Sequence, residues 1–376
     1  MTPGPTPAPP QVLAALSSPV IHHRARDYRV LMERLLEQLR RIFRTEADVL
    51  LYTSSGTGGM ESAIANLCSP GDRVLTVSAG YFGERWSEIA RAYGCEVEEL
   101  RYEWGETPSA DDLAARLKEL GDVAMILLTQ SETSTGVVSD VEALAAPARA
   151  AGALVAVDAI SSLAAVPLET DAWGVDVAVS GSQKALMTPP GLAVVAVSEA
   201  AWRRAERARA PRYYFAWEPV RKAQERFDAT FTPAVSLVLG LDVAVTMILE
   251  EGLEAVFERH MRLGRACREG VKAMGLELFS PDDDRSAVVT AIEAPAAIDS
   301  DALVAAVRDR FGVTLAPGQG PLKGRIFRIG HIGYYDVFDI TTALAAVELA
   351  LAEAGAEIER GAAVTRALEA FEHTPV

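Results

Sequence analysis

Seven short apolar runs recur within the first two hundred or so residues, separated by stretches with helical spacing, and this alternation limits the possible folds more than any other feature. The runs are Asp48 to Thr53, Arg73 to Ser78, Val97 to Leu100, Ala124 to Thr129, Leu154 to Asp158, Asp176 to Ser180 and Leu192 to Val197. Short Val- and Leu-rich runs bounded by Gly, Ser or Asp read as strands buried on both faces. Alternating with helices, they predict an α/β fold with a mostly parallel central sheet sandwiched by helices. One flanking helix is plain in the letters, since Leu31 to Phe43 returns an apolar residue every three to four positions.

A chain of 376 residues has room for more than this sheet. Residues 1–20 read as an N-terminal arm with a Pro-rich start, and 21–250 as the large domain. Residues 251–376 read as a smaller C-terminal αβ domain, with strands near Ala287 to Glu293 and Arg325 to Ile329. The formal net charge of −16 opposes binding to a phosphate backbone, so no nucleic-acid partner is expected. The opening MTPGPTPAPP does not have the form of a signal peptide, and no run of about 18 apolar residues exists to span a membrane. Cys68, Cys95 and Cys267 are too scattered for a disulfide framework or a zinc site, which fits a reducing, cytoplasmic compartment. The histidines show no ligand spacing such as HExxH, so no metal is expected.

In open α/β sheets ligands bind beyond the carboxyl ends of the strands, and the residues after each apolar run are polar here. Of the five lysines, only Lys184 follows a buried-strand run, Val175 to Gln183, with small residues at its end. A lysine at the mouth of such a strand can lose its proton through desolvation and attack a carbonyl to form a Schiff base; a solvated loop lysine would carry the same letters. Asp158 closes the strand Leu154 to Val157, where a carboxylate can hold a pyridine nitrogen protonated or simply cap the next helix. The turn Ser54-Ser55-Gly56-Thr57-Gly58-Gly59 precedes a helix expected near Met60 and offers backbone N–H groups to a phosphate. It lacks both GxxxxGK[ST] and the third glycine of the dinucleotide fingerprint, which favours a phosphate smaller than a nucleotide.

These residues resemble those of class V aminotransferases, and among them the alanine/serine-glyoxylate (serine-pyruvate) group. The likeness runs from about Thr2 to Leu351. It rests on Pro3-Gly4-Pro5-Thr6, Ser55-Gly56-Thr57, Glu132-Thr133-Ser134-Thr135-Gly136, Val157-Asp158-Ala159 and above all Ser180-Gly181-Ser182-Gln183-Lys184-Ala185-Leu186 with Pro189-Pro190-Gly191. The resemblance implies the fold type I architecture of pyridoxal 5'-phosphate (PLP) enzymes and a homodimer with active sites at the interface. It also implies a ping-pong transfer of an amino group from alanine or serine to glyoxylate or pyruvate.

By position, Lys184 would bond the cofactor aldehyde and Asp158 the pyridine nitrogen. Ser55, Gly56, Thr57 and Gln183 would surround the phosphate, Phe82 would stack on the ring, Ile160 would pack beneath it and Thr133 would approach the ring hydroxyl. Arg328 would clamp the substrate carboxylate, and its alternative is a buried salt bridge. Thr232 would reach the phosphate of the neighbouring subunit, with Thr230 competing for that role. Phe82 stands where many relatives have Trp and Thr57 where some have His. His22-His23-Arg24 resembles a segment near the active-site entrance of relatives, though a structural or solvent-facing role fits it as well. Cysteine desulfuration lacks a Cys between Val313 and Arg328, while ureidoglycine-glyoxylate transamination stays open. A non-catalytic PLP-binding regulator would need a basic DNA-binding segment that these letters do not supply.

Overall fold

Period-two burial divides each central strand between two layers of core, and this shapes the molecule around the site. In the computed structural model, which describes residues 1–279, 282 and 286–373, the strands are β1 (Asp48–Thr53), β2 (Arg73–Ser78), β3 (Glu96–Arg101), β4 (Met125–Thr129), β5 (Ser131–Glu132), β6 (Val137–Val138), β7 (Leu154–Asp158), β8 (Val177–Gly181), β9 (Leu192–Val197), β10 (Val289–Glu293), β11 (Ala316–Pro317) and β12 (Ile326–Gly330). The main sheet has the order β1-β9-β8-β7-β4-β2-β3. Ile126, Leu128, Val155 and Val157 enter one core layer, whereas Met125, Leu127 and Ala156 enter the other. Side chains that alternate across a strand leave no solvated face, so helices cover both.

The expected parallel sheet is present with one reversal. β3, β2, β4, β7 and β8 pair in parallel, but β9 runs antiparallel to both β8 and β1. Both edges are protected. At β1, the Gln224 side chain accepts from Leu51 N at 2.9 Å and donates to Val49 O at 2.8 Å, completing the outer ladder. At the other edge β3 carries Glu96, Glu98, Glu99 and Arg101, charges that discourage further pairing.

The helix expected over Leu31 to Phe43 begins earlier, at Arg26, and buries Tyr28, Leu31, Met32, Leu35, Leu36, Leu39, Ile42 and Phe43. It ends where Arg44 turns left-handed. The helix expected near Met60 starts at Gly56, so its first turn includes the Gly-rich turn itself. The long helices Val235–Glu251 and Leu253–Ala273 break at Gly252, whose φ of +90° suits glycine.

Beyond that break, β10, β12 and β11 form an antiparallel sheet. Phe327 and Ile329 pack there with Leu263, Leu303, Ile340 and Leu344 from the surrounding helices. Arg328 lies between them in β12 and takes the opposite face, beside Ala291 and Ala316 in register. The last residues of the chain, 374–376, at the expected end of the smaller domain, lie outside the described residues. No helix among the described residues is long and apolar enough to cross a membrane.

Candidate active site

Because β1, β2, β4, β7 and β8 run in one direction, the loops after them converge on one edge of the sheet. A cavity of about 200 Å³ opens there. Ser55, Gly56 and Thr57 line it from the turn after β1, Phe82 and Arg85 from the helix Tyr81–Ala92, and Ser131 from the strand after β4. Asp158 and Ile160 reach it from the end of β7, and Gln183 and Lys184 from the loop after β8. Eight of the residues singled out by sequence therefore meet in one space: Ser55, Gly56, Thr57, Phe82, Asp158, Ile160, Gln183 and Lys184.

The loop that presents Lys184 is tied at its base. Ser182 Oγ donates to Pro189 O at 2.8 Å and accepts from Leu192 N at 3.2 Å, while Thr188 N donates to Ser182 O. The N-terminal arm crosses it: Thr6 Oγ1 donates to Lys184 O at 2.8 Å, and Lys184 Nζ donates to Pro3 O at 2.9 Å. Gly4 fits this crossing because a Cβ there would lie 2.4 Å from the Lys184 chain. Burial lowers the Lys184 amine to about 8; Asp158 opposes the shift, and Arg328 and Arg85 reinforce it.

Asp158 is buried, and its Oδ1 accepts from Ile160 N at 2.8 Å. Burial pushes its carboxyl up to about 7 against that hydrogen bond; Glu132 adds to the rise, and Lys184 and Arg85 moderate it. Each group is thus poised to exchange a proton near neutrality.

Glu132 is buried behind the lining of the site, against the helix that carries Phe82. Its Oε2 accepts from Phe82 N at 2.9 Å and Gly83 N at 3.0 Å, and its Oε1 from Ser134 N at 3.1 Å and Ser134 Oγ at 2.5 Å. Burial raises its carboxyl against these bonds. Glu132 thereby fixes the first turn of the helix that carries Phe82.

Arg328 is buried but meets no carboxylate at ion-pair distance among the described residues, so the expected alternative of a salt bridge is not what holds it. It donates through Nε and Nη2 to Pro317 O at 3.1 and 2.8 Å, and through Nη1 to Thr133 O. Burial lowers it to about 10, with Glu132 opposing. A guanidinium has five N–H donors, so two remain for another acceptor. Thr133 is buried and holds Arg328 through its carbonyl, without lining the Lys184 cavity.

Thr232 also stays apart from that cavity. It borders a surface hollow with Val20, His22 and His23, while Thr230 Oγ1 is engaged by Pro219 O at 3.1 Å. Sequence reasoning passed over Arg85 and the arm's contact with Lys184, and reached Ser131 only as one of the polar residues that follow the apolar run ending at Thr129. Arg85 had a signal, standing one helical turn beyond Phe82; Ser131 and the crossing of the arm depend on tertiary contacts.

The cavity at the parallel-strand edge brings a buried amine, Lys184, beside a buried carboxylate, Asp158, which act on one another's charge. The chain belongs to the class-V aminotransferase family, whose model ("Aminotransferase class-V") matches residues 2–322. It is an enzyme of the transaminase type.

The chain is 40% identical to a protein of Anabaena cylindrica named soluble hydrogenase 42 kDa subunit, over 99% of this chain and 98% of that one. It is 36% identical to an L-aspartate–glyoxylate aminotransferase of Paracoccus denitrificans, with 99% and 96% covered. A serine–glyoxylate aminotransferase of Methylorubrum extorquens is 35% identical, with 100% and 96% covered. Among solved structures, ureidoglycine-glyoxylate aminotransferase from Bacillus subtilis superposes with a TM-score of 0.95 at 32% identity, covering 99% of this chain and 97% of that one.

Proposed function

We propose that the cavity binds pyridoxal 5'-phosphate and that the enzyme moves an amino group from a small amino acid, alanine or serine, to glyoxylate or pyruvate. The observation that carries this reading is the pairing of Lys184, lowered to about 8, with Asp158, raised to about 7, in one cavity. Two features of the chain fit the cofactor. Gln183 lines the cavity with a side-chain amide whose NH₂ can donate to a phosphate, and no side chain caps the helix that starts at Gly56, so its first N–H groups are open to an anion. Gly56 also lies against Ile160, where a Cβ would come within 2.6 Å of the Ile160 side chain, so a larger residue would narrow the cradle.

When bound, the cofactor supplies a carbonyl to exchange with amines and an electron sink for the substrate's α-carbon. Lys184 Nζ would leave Pro3 O to hold the cofactor, would be freed by the incoming amine, and would then carry the proton from the substrate's Cα to the carbon that bore the cofactor's carbonyl. Asp158, oriented by Ile160 N, would face the pyridine nitrogen and keep it protonated. Ser55, Gly56, Thr57 and Gln183 would take the phosphate and Phe82 and Ile160 would bound the ring, while Thr133, which does not line the cavity, would serve the site through its carbonyl on Arg328. The two remaining N–H donors of Arg328 take the substrate carboxylate.

The reading extends to a homodimer in which Thr232 reaches the partner's phosphate, supported by exposed Val20 in that hollow and by exposed Tyr213 and Tyr214, whose rings meet that of Phe231 next to Thr232. It includes an arm over 1–20, a PLP-binding domain over 21–250, a small domain over 251–376, and a cytoplasmic setting. Glyoxylate as acceptor is supported by the names of three relatives, which differ in the donor.

An absorbance scan of protein supplied with PLP tests this. A near-visible band should shift with L-serine or L-alanine, return with glyoxylate or pyruvate, and be missing in Lys184→Ala. Absence of any band in the wild type, or intersecting double-reciprocal plots, would defeat it.

A further inference from the structure

Arg85 is the one guanidinium that lines the Lys184 cavity, and nothing in the proposed chemistry has yet used it. It is half-buried and makes no ion pair within 4.0 Å among the described residues. Its one hydrogen bond is from Nη1 to Thr57 Oγ1 at 3.2 Å. Its ζ carbon lies 4.8 Å from the centre of the Phe82 ring and 5.2 Å from that of Tyr81. Aromatic contact fixes a planar cation at little cost and leaves most of its five donors available.

The charges around the cavity are unbalanced. Lys184, Arg85 and Arg328 stand against Asp158 and Glu132, and Glu132 is saturated by four hydrogen bonds. An enclosed cation without a carboxylate partner is costly until an anion joins it. The direction of Arg85 says which anion. Its partner Thr57 belongs to the first turn of the uncapped helix Gly56–Leu67, whose N–H groups and positive dipole end favour a phosphate, whereas the Arg328 donors lie on the far strand β12.

We propose that Arg85 is the counter-charge of the phosphate subsite, a bidentate donor to a phosphate monoester shared with Thr57. The assignment rests on the reading of this cavity as a PLP site. It gives the subsite a formal positive charge where Ser55, Gly56, Thr57 and Gln183 offer only neutral donors.

The experiment compares PLP with pyridoxal, which lacks the phosphate, by titrating cofactor-free wild type, Arg85→Ala and Arg85→Lys and following the near-visible band. Loss of a charge-assisted hydrogen bond predicts PLP binding about 30-fold weaker in Arg85→Ala. Pyridoxal binding should change less than about threefold, and Arg85→Lys should recover much of the PLP loss by keeping a point charge. Separately, inorganic phosphate should raise the melting temperature of cofactor-free wild type and not that of Arg85→Ala, a readout independent of the band.

Equal loss of PLP and pyridoxal binding in Arg85→Ala would overturn the proposal and make Arg85 a support for Phe82. Unchanged PLP binding with a raised KM for the amino acid would also overturn it and send Arg85 to the substrate. Failure of the wild type to give a band with either aldehyde would instead sink the PLP reading beneath it.

Discussion

Asp158 and Glu348 are both carboxylates that are 4% exposed, yet one lies at the edge of the main sheet and the other within the C-terminal helices. Glu348, on the helix Val337–Glu353, has both oxygens engaged: Oε2 accepts from Gly361 N at 2.9 Å and Oε1 from Ala363 N at 2.8 Å. It serves the N-terminal end of the helix Ala362–Glu372, where a negative charge also meets the helix dipole. Asp158 has one peptide donor, Ile160 N, and turns its remaining capacity toward the cavity. Burial does not separate the reactive carboxylate from the structural one. Saturation of its hydrogen bonds does, because a fully partnered group has nothing left to exchange with a ligand.

The strongest way to break this contrast is Asp158→Asn. An amide can still accept from Ile160 N, so the fold should hold, while the charge that would face a pyridine nitrogen is lost. Turnover of the PLP-loaded enzyme should fall by about 10³-fold or more, roughly 4 kcal/mol of activation free energy. Steady-state kinetics beside circular dichroism would check this, and unchanged turnover would remove Asp158 from the site. Next in size is Glu132→Ala. Glu132 lies close to the site, bonded to Phe82 N and Gly83 N behind its lining, but has both oxygens engaged like Glu348, so position and saturation pull in opposite directions. Leaving Phe82 N, Gly83 N and Ser134 N without an acceptor should cost about 3 kcal/mol of stability, measured by chemical denaturation. A stability loss under about 1 kcal/mol would mean that its four bonds are replaced by water.

The same distinction explains what the sequence made legible. The strand runs were visible because both faces of a central strand are apolar, and the bounds of β1, β2, β7 and β9 coincide with those expected. The reversal of β9 was not visible, since an antiparallel strand buried on both sides carries the same letters as a parallel one. β5, β6 and β11 are two residues each, too short for a periodicity to show. At the site, Lys184 and Asp158 stood out because a charged residue ending an apolar run is costly without a purpose. Arg85 did not, because a basic residue in an amphipathic helix resembles a solvated face until its neighbours are known. Glu132 was part of a motif, but its bonds to Phe82 and Gly83 cross some fifty residues of chain.

The pH dependence of stability tests Asp158 without the cofactor. Its folded carboxyl titrates near 7, well above the ordinary value of 3.8. A raised carboxyl favours the protonated folded state, so this contribution is complete below about pH 4 and is lost as pH rises through 7. Cofactor-free wild type should therefore lose stability between about pH 4 and 7 relative to Asp158→Asn, by roughly 4 kcal/mol at most. Denaturation midpoints across that range would show it; parallel curves for the two proteins would mean that Asp158 is ionised throughout.

The smallest expected effect belongs to Glu348→Gln, and it closes the comparison from the structural side. A glutamine has one carbonyl oxygen in place of two carboxylate oxygens, so either Gly361 N or Ala363 N loses its acceptor while the other keeps a neutral one. The charge that complements the helix end is lost as well. Together these should cost about 1 kcal/mol and lower the melting temperature by about 2 °C. Because Glu348 lies on the C-terminal helices and lines no part of the Lys184 cavity, kcat/KM should stay within about twofold of the wild type. If kcat/KM instead fell as far as in Asp158→Asn, the packing around the helix Ala362–Glu372 would be coupled to the position of Arg328 on β12. Saturated and open carboxylates would then no longer mark separate regions of the molecule.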